Sequence, residues 1–351
     1  MLYYYWQHYR YSLDKDIAER LFPILKRSVN YALHLLSKNE SGQLSFNVKT
    51  HSPEYPIDKG TNTNYDLSLL RWGCKTLLEL NKELDKKDPL VSTWQNVLNN
   101  LVPYPHDENG FRIASDIPFN QSHRHYSHLL MIYPLYDVNW DQVGNRALIE
   151  KSLTHWLSFS SALQGFSLTG GASMYAAIGK GTEAVGCLDR FLDKFVTPNT
   201  MHIESGPVIE TPLAAAASMQ ELYVQYWNKV ARIFPAVPKD WEDAGFEDMR
   251  TDGAFLISAV RKGGITRWVK IKSLQGGQIS VKPGLHGIVK MQGTAKSQLV
   301  TGKEAGNYTC IIPKGHSVIL YANKNDLQIK LSDVTTLGEN SSFGKPLKKK
   351  Q

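Results

Sequence analysis

Along the first two thirds of the chain, apolar positions recur with the period of an α-helix. Leu90, Trp94, Val97, Leu98 and Leu101 stand at i, i+4, i+7, i+8 and i+11, one stripe of an amphipathic helix. Leu70, Cys74, Leu77 and Leu78 form a second stripe, and Leu188, Phe191, Leu192 and Phe195 a third. Asp14 to Leu36 predicts a longer helix with Leu21, Ile24, Leu25, Ser28, Ala32 and Leu35 inward. Pro23 falls inside it and predicts a kink or a late start, because proline lacks the N–H a helix interior uses. On this periodicity about seven helices are expected between residues 13 and 228. Long irregular stretches separate them at 38–62, 103–141 and 196–211. Loops of that length in a compact domain usually carry function.

Near residue 229 the pattern changes. Ala254–Val260, Thr266–Ile271, Gln278–Val281, Gly287–Met291, Tyr308–Ile312 and Ser317–Tyr321 are short runs rich in β-branched and aromatic residues. Gly263-Gly264, Gly276-Gly277 and Pro283-Gly284 punctuate them as turns. Such a series predicts an antiparallel β-sandwich. The expected organisation is a mainly α chain with a β domain: a helical domain over 1–229, then a β-sandwich with a basic tail over 230–351.

Composition narrows the function. The 351 residues are 42% hydrophobic and 11% aromatic, enough for sizeable cores and unlike a disordered or collagenous chain. No apolar run approaches the roughly 20 residues that span a bilayer, so membrane insertion is not expected. Met1 to Arg10 lacks a basic-then-apolar leader pattern, which leaves localisation undetermined. Forty Lys+Arg against 33 Asp+Glu give a net charge of +7, part of it in Lys348-Lys349-Lys350. No linear Lys/Arg cluster interleaves with aromatics, so a nucleic-acid partner is not expected. Cys74, Cys187 and Cys310 are scattered, with no C-x-x-C pair, which argues against a disulfide framework or a zinc knuckle. Neither a dinucleotide Gly fingerprint nor a phosphate-binding loop is present, and no cofactor is expected.

The densest polar segment is Ser122-His123-Arg124-His125-Tyr126-Ser127-His128, in a long loop before Leu129-Leu130-Met131-Ile132. Three readings are open: a zinc site, a buried hydrogen-bonded network, and a sugar-binding strip whose Arg and His donors match hydroxyls in fixed directions. If a helix starts near Ser127, these side chains splay towards its N-terminal end. Zinc lacks an H-E-x-x-H spacing or a nearby thiolate, and no metal is expected. Acidic residues in the loops are the second clue. Ser52-Pro53-Glu54-Tyr55-Pro56 holds Glu54 in a proline-bracketed turn. Asp66 stands in the first turn of the helix carrying Leu70, where a carboxylate favours the dipole. Asp116 precedes the histidines. Glu204 and Glu210 lie before the Ala-rich segment Ala214 to Ala217, and a carboxylate held against a tightly packed helix is costly unless paired, capping or used. Two carboxylates flanking a pocket suit glycoside hydrolysis, with one protonating the leaving oxygen while the other activates water. Phe111, Phe119, Tyr126, Trp156 and Phe166 are aromatic candidates to face a sugar ring, each individually more typical of a core.

The run HRHYSHLLMIYP (His123 to Pro134) resembles the His-Arg-His-x-Ser-His-Leu stretch of the α-L-fucosidases and α-L-galactosidases of glycoside hydrolase family 95. Ser52-Pro53-Glu54 resembles that family's Ser-Pro-Glu turn, and Asp66 its following helix-start aspartate. RIFPAVPKDW (Arg232 to Trp241), with Gly253-Ala254-Phe255 beyond, resembles its Leu-Pro-Ala-Leu-Pro-x-x-Trp segment. The likeness implies an (α/α)6 toroid and cofactor-free hydrolysis with inversion, releasing a terminal α-linked L-fucose or a related sugar from an oligosaccharide or glycan. It implies sugar contacts at Glu54, Asp66, His123, Arg124, His125 and His128. The family's general base lies eleven residues before a helical Glu-Met-Leu-type segment, and counting back from Glu221 gives Glu210. The family's Glu-Trp pair, which supplies the acid, is replaced by Ala114-Ser115, and Asp116 is the nearest substitute. The family's paired asparagines would lie upstream of Met1, and a full six-pair toroid needs about twelve helices where about seven are expected here, so the likeness implies a missing N-terminal segment of a longer, exported enzyme as partner. The remaining readings are a carbohydrate-binding relative without catalysis and a metal hydrolase using the histidines.

Overall fold

The computed structural model describes residues 1–56, 59–204, 206, 208–302 and 304–330. The basic tail Lys348–Lys350 lies outside the described residues. The chain divides into two compact units, Met1–Leu163 and Gln164–Gln351.

Among the described residues, the first unit holds five α-helices, α1 (Leu2–Ser12), α2 (Lys15–His34), α3 (Asn64–Glu83), α4 (Val91–Asn100) and α5 (Arg146–Ser158). Asp14 caps α2 by accepting the backbone N–H of Asp16 at 3.0 Å, and the helix runs on through Pro23 with no late start. Its buried row is Ala18, Leu21, Phe22, Leu25 and Val29, packed in one core with Leu70, Cys74 and Leu77 of α3 and Trp94 and Val97 of α4. Ile24, expected inward, is 46% exposed. It sits one residue before Leu25, about 100° round the helix from the buried row. At Gly73 a Cβ would lie 2.7 Å from Val29 Cγ2, so glycine lets α3 approach α2 closely.

The long stretches are tied down by three short antiparallel pairs. These are β1 (Leu36–Lys38) with β2 (Leu44–Phe46), β3 (Lys49–Thr50) with β4 (Gly60–Thr61), and β5 (His106–Asp107) with β6 (Gly110–Phe111). No helix starts at Ser127. The segment makes a single 3-10 turn over Ser127–Leu129, so the histidine strip is loop throughout.

The second unit opens with α6 (Gly165–Ala177), α7 (Gly181–Phe195) and α8 (Glu210–Tyr223). Gly, Ala and Ser dominate α6, and small side chains allow its burial between α7 and α8. Ser218 of α8 donates to the Thr169 carbonyl at 2.8 Å and meets Ser173 Oγ at 2.9 Å, so the polar atoms of this contact are paired. Strands follow: β7 (Val224–Trp227), β8 (Val230–Ile233), β9 (Ala244–Thr251), β10 (Phe255–Lys262), β11 (Ile265–Ser273), β12 (Gly277–Lys282), β13 (Lys290–Gln292), β14 (Gln298–Thr301), β15 (Tyr308–Ile312) and β16 (Ser317–Tyr321). They form two five-stranded sheets, ordered β13-β16-β11-β10-β9 and β14-β15-β12-β8-β7. Both contribute to one core, with Ile257, Val269, Ile271 and Val318 from the first and Ala231, Ile279, Val281 and Cys310 from the second. The pairing of β12 with β8 is parallel; the other pairings in the two sheets are antiparallel. Among the described residues, no helix is long and apolar enough to cross a membrane.

Candidate active site

In the first unit the histidine strip and the Ser-Pro-Glu turn meet. Ser52 Oγ and Ser127 Oγ, both buried, lie 2.7 Å apart and fasten the two segments. Beyond that bond the turn lifts Glu54 outward, with φ at 59°, a left-handed conformation that glycine favours and glutamate does not. Arg124 Nη2 donates to Glu54 Oε2 at 2.5 Å, and His125 Nδ1 approaches the same oxygen at 3.2 Å. These side chains are 41%, 53% and 28% exposed for Arg124, Glu54 and His125, so the group opens to solvent. The strip therefore presents a carboxylate, a guanidinium and an imidazole together, the mixture of donors and acceptors that sugar hydroxyls require.

The other two histidines lie beneath. His123 packs edge-on against Tyr55 and His125, with ring centroids 5.5 and 5.3 Å away. Burial, then the neighbouring His125 and Arg124 charges, holds its imidazole below the ordinary histidine range, and its Nε2 is buried with no hydrogen-bond partner among the described residues. His128 is 1% exposed and stacks on Phe119 at 4.4 Å. Burial, reinforced by His123 and His155, pushes it down to about 3, so it is neutral across physiological pH. His128 thus supports the strip from within. Phe111, Phe119, Tyr126 and Trp156 are buried and serve as core, while Phe166 is half-buried.

Asp66 belongs to the start of α3. Thr63, the N-cap, accepts the Asp66 N–H at 3.2 Å and donates its hydroxyl to Asp66 Oδ2 at 2.7 Å, and Thr50 donates to the same oxygen. Both carboxylate and cap therefore fix the helix entrance. Asp116 is bound on three sides. It accepts the Thr61 N–H at 2.8 Å and the Thr61 hydroxyl at 3.2 Å, and pairs with Lys49 Nζ at 2.8 Å. Burial alone would raise this carboxyl, but the Lys49 ammonium and the Thr61 amide outweigh it and hold it below the ordinary range. A general acid needs the opposite shift.

In the second unit the carboxylates Glu204 and Glu210 differ sharply. Glu210 is the first residue of α8 and is exposed, so it bears none of the desolvation expected of a carboxylate packed against that helix. Glu204 is the buried one, its side chain 4% exposed. The chain from Val196 to His202 closes on itself through a bridge between those residues and the bond from the Ile203 N–H to the Phe195 carbonyl at 2.8 Å. That fold-back brings Glu204 to the start of α6, where a Cβ on Gly165 would lie 3.2 Å from Oε2. Thr211 donates to Oε2 at 2.8 Å, and His202 Nε2 stands 3.2 Å from it. Ser205 and Pro207 of this segment lie outside the described residues. Among the described residues, no group of His, Cys, Asp or Glu is arranged to hold a metal ion.

Against this geometry, the comparisons give a class. The glycosyl hydrolase family 95 catalytic domain matches residues 1–222, and the chain belongs to that family. Among solved structures, it is similar to a candidate kojibiose phosphorylase from the human microbiome, with a TM-score of 0.53 and 12% identity over 80% of this chain and 46% of that one. A Streptomyces avermitilis α-L-rhamnosidase complexed with L-rhamnose gives a TM-score of 0.48 and 12% identity, over 90% of this chain and 32% of that one. The chain thus spans less than half the length of these two proteins. No curated protein matches the sequence.

Proposed function

We propose that the chain is a glycoside hydrolase that releases a terminal α-linked L-fucose, or a closely related sugar, from an oligosaccharide or glycan with inversion. The observation that carries this reading is the joint contact of Arg124 and His125 with Glu54 inside the segment that matches the family's catalytic domain. On this reading the helices form part of an (α/α)6 toroid and the two sheets a β-sandwich, with the division near residue 229. Glu54, Arg124, His123 and His125 hold the sugar, and Asp66 and His128 keep the helix entrance and the strip in place.

Inversion needs a base to take a proton from water as it attacks the anomeric carbon, and an acid to give one to the departing oxygen. Glu210 is the base by residue count, but it is exposed, and among the described residues no hydrogen bond or ion pair orients its carboxylate. Glu204, fixed by Thr211 and flanked by His202, is the base we put forward. For the acid we put forward Glu54, for its place in the strip beside His125; like Asp116, it pairs with a cation, here Arg124.

The exposed apolar residues Ile209 and Leu213 at the start of α8, 71% and 62% exposed, support a seat for further helices of a longer enzyme. Proton NMR with α-L-fucosides and α-L-galactosides tests the whole reading. The expected result is release of the β-anomer first by the wild type, and none by Glu204→Gln. Release of the α-anomer first would overturn inversion. No release, from this chain or a longer one carrying the missing helices, would overturn hydrolysis in favour of sugar binding alone.

A further inference from the structure

Glu204 is held by its surroundings through one oxygen. Thr211 donates its hydroxyl to Oε2 at 2.8 Å, and His202 Nε2 approaches the same atom at 3.2 Å. The first turn of α6 lies against it too. A Cβ on Gly165 would come within 3.2 Å of Oε2, and the partial positive charge of a helix N-terminus favours a carboxylate there. Oε1 takes no hydrogen bond among the described residues. The donors thus converge on Oε2 and leave Oε1 to accept a proton.

His202 is placed beside that oxygen by other contacts. Its main chain bridges Val196, and the turn between them closes through the Thr197 N–H to the Met201 carbonyl at 2.9 Å. The imidazole packs on the Phe191 ring of α7 with centroids 5.8 Å apart, and its side chain is only 10% exposed. Main-chain bonds and an apolar contact therefore close this segment without help from the carboxylate. Both ring nitrogens are buried, and neither has an aligned hydrogen-bond partner among the described residues. Nε2 faces a carboxylate oxygen at 3.2 Å, whereas no acceptor for Nδ1 is found among those residues. A buried N–H without an acceptor is the costlier arrangement, so the hydrogen belongs on Nε2. Catalytic hydrogen bonds are often poorly aligned before substrate binds and tighten in the complex.

We propose that His202 is a positioning residue for Glu204: its Nε2–H and the Thr211 hydroxyl fix Oε2 and present Oε1 to the attacking water. The role rests on Glu204 acting as the base. In the step, the water oxygen bonds to the anomeric carbon as the bond to the leaving oxygen breaks. Oε1 takes one proton of that water, and the general acid protonates the leaving oxygen. The hydrogens on His202 and Thr211 stay in place throughout. Without His202, Oε2 keeps the single Thr211 bond, about which the carboxylate turns, and the accepting oxygen is no longer fixed in place.

Nitrogen NMR of the wild-type imidazoles, with His202 assigned by its loss in His202→Gln, reads which ring nitrogen carries the hydrogen. Hydrogen on Nε2 is expected, and a hydrogen on Nδ1 alone would overturn the proposal whatever the turnover. Steady-state kinetics on an α-L-fucoside give the second readout. His202→Phe keeps a ring against Phe191 and removes the donor, so kcat should fall by about 10²-fold with KM nearly unchanged. His202→Gln, whose amide reaches the Nε2 position, should recover most of that loss. A raised KM with kcat kept, or equal losses in the two variants, would reduce His202 to a loop tether and overturn the proposal. Circular dichroism checks that both fold, and His202→Leu replaces His202→Phe if that variant does not. Glu204→Gln, run beside them, separates the two ideas. If it is inactive while His202→Phe turns over normally, the role of His202 falls and the base stands. If it turns over as the wild type does, or no sugar is released by this chain or a longer one, the base falls and this role with it.

Discussion

Glu54 and Arg124, seventy residues apart in the chain, meet at 2.5 Å on a loop surface where both side chains remain substantially open to solvent. An exposed pair of this kind contributes only about 0.2–1 kcal/mol to stability. The backbone of Glu54 is meanwhile held at φ 59°, a conformation that costs a non-glycine residue on the order of 1–3 kcal/mol. The fold spends more on placing this carboxylate than the ion pair returns.

Glu54→Gln should therefore separate function from stability. The amide still accepts a bond from Arg124, and the melting temperature is expected to fall by no more than about 2–4 °C. Turnover should fall by about 10²–10⁴, the usual contribution of a positioned acid. Arg124→Lys should instead raise KM, because one ammonium does not reproduce the guanidinium fork. Steady-state kinetics on an α-L-fucoside decide the matter, and unchanged turnover in Glu54→Gln would remove it from the acid's role.

Glu204 and Glu210 make a paired prediction. Glu204→Gln keeps the shape of the buried site and the Thr211 bond while removing the proton acceptor, so turnover should drop by about 10²–10⁴. Glu210→Gln changes an exposed first-turn residue and should alter stability by about 0.3–1 kcal/mol through the helix dipole, with turnover nearly unchanged. The reverse ranking in single-turnover assays would restore Glu210 as base. Gly165→Ala offers an independent check, since its methyl would crowd Thr211 at 2.9 Å and the Glu204 carboxylate at 3.2 Å.

Asp116→Asn tests the third carboxylate. Its lowered pKa means that the folded state prefers the charged form, so its contribution to stability is present above the ordinary carboxylate pKa and is lost as pH falls through the lowered value. The asparagine variant should lack that component and loosen the β3–β4 pair, while turnover at neutral pH stays within about two-fold. A collapse of turnover with intact folding would return Asp116 to the acid's role.

Much of this was legible in the sequence where local pattern and tertiary role agree. Tyr308–Ile312 and Ser317–Tyr321 are strands with the bounds their alternation predicts. Trp94 and Val97 are buried as their spacing requires. Strand β9 was not legible, because the bulge opposite Ile257 and Ala259, with Asp248 at φ 52°, breaks the alternation that marks a strand. Strands β7 and β8 were missed for their brevity, though Val224-Gln225-Tyr226-Trp227 alternates half-buried and buried and starts the β region before residue 229. The chemistry of Glu54 and His125 was visible as residue types, but their shared contact depends on the Ser52–Ser127 bond between distant loops. Counting back from Glu221 gives Glu210, and a count carries no information on burial: it does not register that Glu204, beside the fold-back at Val196–His202, is the buried carboxylate of this segment.

The stacked His128 gives the strip a pH limit. Its folded pKa, about 3, lies well below the ordinary value near 6.5, so the unfolded chain takes up a proton that the folded one refuses. Its contribution to stability is complete above about pH 6.5 and is lost as pH falls from there towards 3, by at most about 1.4 kcal/mol per pH unit. His123 is shifted the same way by its burial and adds to the slope. His128→Leu removes one titrating group while keeping an apolar neighbour for Phe119. Urea unfolding from pH 7 down to 4 should then show the wild type losing stability faster than the variant, so that the gap between them closes in acid. Parallel pH dependences would mean that His128 takes up its proton in the folded state, and that the strip rests on a charged rather than a neutral imidazole.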